Sequence, residues 1–236
     1  MPVLPSNYHD IIQHFTAPGC VICILADRDV NRFIDSHLYE YVNTPETHAA
    51  LRASRGLCAT HSARLVNYGA SVLGITILHS AVMDELLKKV AEPARSGSAF
   101  SRLRGGSAGG SLADRLDADG NCLACDALNR AERHHVTSIA EHVLDEQLNA
   151  AYRASGGICL PHFQDVLRAA PSSKHVDELV SIQSEHWRKL KFELDELARK
   201  YDVNHAADAV GAEADSWRRA LRLTAGHEAL FGLRRR

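Results

Sequence analysis

Apolar residues recur every three to four positions along most of this chain, and alternating apolar–polar runs are scarce, so helices are predicted almost throughout. Ser6 or Asn7 starts a short helix running through Phe15 and stopped near Pro18-Gly19. A longer one leaves Cys20 and reaches about Val42, with Ile24, Phe33, Ile34, Leu38 and Tyr41 near helical spacing. Thr44-Pro45-Glu46 offers a capping oxygen, a proline for the first turn and an acid for the helix dipole. That helix is predicted to end at Ser54-Arg55-Gly56, where glycine accepts a left-handed terminus. Beyond His61, Leu65, Val72, Ile75, Leu78, Val82, Leu86 and Val90 continue the helical pattern. Gly69 and Gly74 weaken that segment, so a bend or break is expected there.

The pattern lapses between Glu92 and Asp119, where serine, glycine and arginine dominate; this stretch reads as a linker. Helical spacing then resumes. One helix is predicted from Cys122 to about Tyr152, and a short one opens at Cys159 and stops before Pro171. Ser172-Ser173 leads into a long amphipathic helix carrying Val176, Leu179, Ile182, Trp187, Leu190, Leu194 and Leu197. A polar interval, Asn204 to Gly211, precedes a last helix at about Ala214–Ala225, ended by Gly226.

The cysteines turn this list of helices into an architecture. All six of them fall in one pattern written twice: Cys20-x-x-Cys23 followed by Cys58-x-x-His61, then Cys122-x-x-Cys125 followed by Cys159-x-x-His162. The intervening stretches are 34 and 33 residues long. The flanks repeat too, with Arg52-Ala53-Ser54-Arg55-Gly56 lining up with Arg153-Ala154-Ser155-Gly156-Gly157. Three thiolates and one imidazole complete a tetrahedral zinc shell, so each copy is read as one site. The expected fold is all-α: two pseudo-symmetric helical halves, 1–92 and 120–236, joined by the linker 93–119 and each stapled by a metal. Two zinc ions are the expected cofactors; two iron–sulfur clusters are the alternative, since a histidine can replace a cysteine ligand.

Composition narrows the function only by exclusion. A net charge of −2 and a pI near 6.7 provide no basic field for nucleic acid. No apolar run approaches the roughly 18 residues of a membrane span, and no secretory leader is readable, so a cytoplasmic location is expected. Each copy holds an odd number of thiols, which argues against a disulfide framework. No catalytic residues are assigned, because four good ligands leave no open position for a metal hydrolase and no nucleophile elbow or phosphate loop is present. Glu132-x-x-His135 has di-iron spacing but occurs once, among fourteen histidines, and is read as chance. His79 and His186 stand at comparable places in the two copies and are read as helix-face residues rather than supports for the metal.

Gly19-Cys20-x-x-Cys23, Gly56-Leu57-Cys58-Ala59-Thr60-His61 and their second copies resemble a group of bacterial all-helical proteins of unassigned function. That group carries repeated CPxC and GxCxxH motifs. Ser216-Trp217-Arg218-Arg219-Ala220-Leu221 is similar as well, whereas Val21 and Leu123 stand where that group favours proline. The resemblance implies metal sites and helices, and no reaction. The expected role is a metal-stapled interaction or regulatory module with a protein partner or a second copy of itself; the alternative is electron transfer or redox sensing.

Overall fold

The computed structural model describes residues 4–68, 71–92, 110–205 and 208–226. The protein is all-α. Among the described residues there are eleven α-helices, two short 3-10 turns and no strand. In chain order the helices are α1 (Tyr8–His14), α2 (Val21–Tyr39), α3 (Pro45–Ala53), α4 (Ala59–Tyr68) and α5 (Val72–Ala91). There follow α6 (Gly110–Leu116), α7 (Leu123–His142), α8 (Glu146–Ala154), α9 (Leu160–Ala169), α10 (Ser173–Lys200) and α11 (Ser216–Ala225). None of the described helices is long and apolar enough to cross a membrane.

The chain folds as two compact units that do not follow the expected division at the glycine-rich stretch. The outer unit comprises residues 1–29 and 129–236, and the inner unit comprises 30–128. Each of α2 and α7 therefore gives its first residues to one unit and its remainder to the other.

In the outer unit, Ile11, Leu25, Ile139, Leu148, Ile158 and Leu179 are fully buried, and Phe15 stacks on Tyr152 at 5.3 Å between ring centres. The expected single helix from Cys122 to Tyr152 is two, α7 and α8. Asp145 breaks it by turning its carboxylate onto the free amides of Gln147 and Leu148, which makes it the N-cap of α8. The Tyr8 hydroxyl donates to the same carboxylate, tying α1 to that break. Asn7, expected to cap α1, makes no side-chain cap. Its amide group instead donates to His135 Nδ1 at 2.9 Å and its oxygen accepts from Ser138. His135, nearly fully buried, faces Asp29 through Nε2 at 2.8 Å, and Asp29 also accepts from Arg28. This is a satisfied polar network, and Asn7, His135 and Ser138 are spent on it.

In the inner unit, Leu38, Leu51, Leu65, Leu78 and Val82 form the buried apolar set. The helical pattern beyond His61 breaks between α4 and α5, as expected; Gly69 itself lies outside the described residues. Gly74 lies inside α5 without breaking it, because its missing side chain admits the backbone of α2. A Cβ there would stand 2.4 Å from the Leu38 carbonyl oxygen. Part of the expected linker is ordered structure. Residues 110–116 form α6, and Arg55 holds the end of that segment through the carbonyls of Arg115 and Leu116 and the Asp119 carboxylate. The amides of Asp119 and Gly120 then donate to the Ala53 carbonyl. Residues 93–109 of that stretch lie outside the described residues.

Candidate metal centres

All four ligand pairs share one local geometry. Cys20, Cys58, Cys122 and Cys159 each stand immediately before a helix, and Cys23, His61, Cys125 and His162 each occupy its third position. The carbonyl of every leading cysteine accepts the first helical hydrogen bond, from Ile24, Ser62, Asp126 and Phe163 respectively. Residues three apart at a helix start face the same side, and the unpaired amides of that first turn favour a thiolate. The i, i+3 spacing thus builds half a metal shell from local structure alone.

The halves are joined crosswise. Cys20 and Cys23 meet Cys159 and His162, while Cys122 and Cys125 meet Cys58 and His61. The expectation that each copy closes its own site is corrected in this respect. At about 1.5 Å rise per residue, the part of α2 beyond Cys23 is roughly 24 Å long and the nine residues of α3 about half that. The outer unit therefore holds one complete group and the inner unit the other.

Within each group the donor atoms all lie within 4.8 Å of one another. In the outer group, Cys23 Sγ is 3.7 Å from Cys159 Sγ, and His162 Nδ1 is 3.3–3.5 Å from the three sulfurs. In the inner group, Cys58 Sγ is 3.6 Å from Cys125 Sγ, and His61 Nδ1 is 3.2–3.6 Å from the three sulfurs. One tetrahedral ion with bonds of about 2.3 Å to sulfur and about 2.0 Å to nitrogen places its donors ~3.8 Å (S···S) and ~3.5 Å (S···N) apart. Both groups fit that spacing, and all six cysteines are free thiols.

Packing so many ionisable donors together splits their affinities for protons. Burial pushes the Cys20 thiol up, but hydrogen bonds from Cys159, Cys23 and His162 outweigh it and hold it well below the ordinary value. Cys23 is raised, chiefly by its hydrogen bonds to Cys159 and Cys20. Burial pulls the His162 imidazole down, yet Cys159, Cys20 and Glu132 together bring it up to about 12. In the inner group, burial raises Cys58 but the His61 amide and the neighbouring thiols leave it lowered, and Cys125 is pushed up to about 12 by burial and by Cys58. A crowd of donors competing over protons is the arrangement a cation relieves, by displacing those protons.

The two groups differ in exposure. Cys20, Cys23, Cys159 and His162 are all buried, whereas Cys58, Cys122 and Cys125 are only partly so.

Two supporting residues were not anticipated from the sequence. Glu132 Oε1 lies 3.4 Å from His162 Nε2, which fixes the ring so that Nδ1 faces the sulfurs, the arrangement of a carboxylate–histidine–metal relay. Gln183, fully buried, clamps the residue before Cys159: its oxygen accepts from the Ile158 amide and its nitrogen donates to the Ile158 carbonyl. Tyr152 donates to the same Gln183 oxygen. Glu132 and His135 form no joint site, since Glu132 serves His162 and His135 serves Asp29. His79 and His186 are not donors to either group. His186 Nε2 donates to the Tyr152 carbonyl, and its ring lies against Gly157, whose positive φ of 89° forms the turn into Cys159. His79 Nδ1 faces the Ile75 carbonyl.

Comparisons with known proteins agree with an assignment to a group without a described activity. The chain is 22% identical over 222 residues to an uncharacterized 23.9 kDa protein in the xynA 3′ region of Caldicellulosiruptor sp. (strain Rt8B.4), an alignment covering 92% of this chain and 99% of that protein. No solved structure matches the chain. Residues 9–229 match the model of DUF6062, a family of unknown function, and the chain belongs to that family.

Proposed function

We propose that this protein is a helical metal-binding module in which two structural zinc ions, one per compact unit, fasten helix starts that lie far apart in the sequence. The observation that carries the proposal is the donor spacing, with three sulfurs and one nitrogen inside 4.8 Å in each group. That spacing supports one ion rather than a cluster, because a cluster spreads its ligands over several irons and holds them farther apart than donors sharing a single ion. Four protein donors close the shell, so the reading is structural and regulatory, not hydrolytic. Free thiolate ligands belong in a compartment that keeps thiols reduced.

The test is elemental analysis and a visible spectrum of protein purified without oxygen. Two zinc equivalents and a colourless solution are the expected result. A brown solution containing iron and acid-labile sulfide would replace zinc with clusters, and metal-free protein that stays folded in strong chelator would refute both.

A further inference from the structure

Beside the outer donor group, the structure holds a cavity of about 180 Å³ that Cys20 borders and that is otherwise lined by residues outside both groups, Asp215 among them. Two loops form one side: Pro18-Gly19, which leads into Cys20, and Ser155-Gly156-Gly157, which leads toward Cys159. Helices α10 and α11 form the other, contributing Lys189 and Leu190 and then Arg219, Arg222 and Leu223. Arg219 is held by Glu193 at 2.6 Å and Asp215 at 2.8 Å. Among the described residues, Lys189 and Arg222 have no acidic partner within ion-pair distance. Arg222 also lines a second cavity, of about 160 Å³, together with Gly19, Cys20 and Cys23.

The backbone adds donors to these cations. Gly19 and Gly156 line the cavity, and the amide of neither donates to a protein acceptor among the described residues. A Cβ placed on either glycine would meet nothing within 4 Å, so the space beside both Cα atoms is open. Unused amides are obligatory donors that must find an acceptor in solvent or in a ligand. Two residues with such amides, lining the same cavity as two unneutralised cations, offer the parts of a site for an oxyanion. Leu190, Leu223 and Pro18 give the same cavity an apolar side.

We propose that this cavity binds a small organic anion, with a carboxylate or phosphate head on Lys189, Arg222 and the Gly19 and Gly156 amides, and a short apolar body against Leu190 and Leu223. Its wall is the Cys20 loop, so an occupant would brace the turn that presents a ligand of the outer group. The inference concerns residues outside both donor groups and holds whichever metal they take.

The full-length, metal-replete protein, labelled with nitrogen-15, is titrated at constant ionic strength with inorganic phosphate and, separately, with butyrate. Saturable shifts of the Gly19 and Gly156 amides are expected with at least one anion, and the anion that saturates identifies the head group. Lys189→Met and Arg222→Met each weaken that binding at least ten-fold with metal content unchanged. Lys191→Met, whose lysine is exposed and paired with Asp195 at 2.6 Å, leaves it intact. Shifts at those two amides that fail to saturate with either anion overturn the proposal, as does equal weakening by Lys191→Met.

Discussion

The crosswise pairing makes a prediction that a sequential pairing cannot share. Cys23 and Cys159 are 135 residues apart by intervening sequence, yet their sulfurs stand 3.7 Å apart in one group. Cys58 belongs to the other group. Against a parent with two metal equivalents, Cys23→Ala and Cys159→Ala should each lose one. The double variant Cys23→Ala/Cys159→Ala should still hold one, because both substitutions damage the same shell, whereas Cys23→Ala/Cys58→Ala should hold none. Stability follows the same logic. Structural zinc contributes on the order of 10 kcal/mol or more to the fold that holds it. That is comparable to the whole net stability of a typical domain, about 5–15 kcal/mol. The first substitution should therefore unfold most of the outer unit, and the second should add little, which is strong non-additivity in a double-mutant cycle. Metal analysis by mass spectrometry on anaerobically purified protein, together with urea unfolding followed by circular dichroism, reads both quantities. If the Cys23/Cys159 double variant lacked both metals while the Cys23/Cys58 variant kept one, the crosswise geometry would be wrong.

Four further outcomes are expected. Glu132→Gln should retain two metal equivalents but hold the outer one about 10- to 100-fold more weakly in chelator competition, because His162 loses the carboxylate that orients it. His79→Ala should leave metal content unchanged, since its ring nitrogen faces a carbonyl of its own helix; loss of the inner metal would instead give it a supporting role. Gly74→Ala should cost several kcal/mol, on the order of an overpacked core, and lower the thermal midpoint, because its Cβ would collide with the Leu38 carbonyl. Burial pushes the Asp29 carboxyl up, but His135 and Arg28 outweigh it and hold its folded pKa below the ordinary value. Its contribution is therefore complete above the unfolded value of about 3.9 and is lost as pH falls through the lower folded one. Asp29→Asn should remove that part of the acid dependence in denaturation curves taken between pH 2 and 7, and should cost about 1–3 kcal/mol at neutral pH.

What was legible in the sequence is what local structure decides. The eight residues that meet in the two candidate groups were identifiable because a Cys-x-x-Cys or Cys-x-x-His step at a helix start is complete within four residues. The helices themselves followed from apolar spacing, and the end of α3 from Ser54-Arg55-Gly56, where the structure places Arg55 and Gly56 at φ of 56° and 95°. The joining of the pairs was not legible. It depends on how far α2 and α7 carry the chain, and spacing between motifs does not contain that distance. Asp145 was missed because apolar spacing runs on through Val143, and a single aspartate is a cap only when the amides beyond it are free. Glu132 and Gln183 act across 30 and 25 residues of sequence, on His162 and Ile158. No pattern in the chain points from one to the other. The Gly/Ser-rich stretch misled in the opposite direction: composition suggested a tether as far as Asp119, but Gly110–Leu116 is helical and Arg55 bonds to Arg115, Leu116 and Asp119 at its end.

The insertion of one unit's sequence within the other's sets an order of maturation. A ribosome finishes every donor of the inner group by Cys125, while Cys20 and Cys23 must wait for Cys159 and His162. During that interval the nascent chain presents a complete inner donor set and a lone dithiol. Severing the polypeptide within 93–109 would separate Cys58 and His61 from Cys122 and Cys125, and also Cys20 and Cys23 from their distant partners. Neither fragment would then own a whole cage, and only their reunion would restore two.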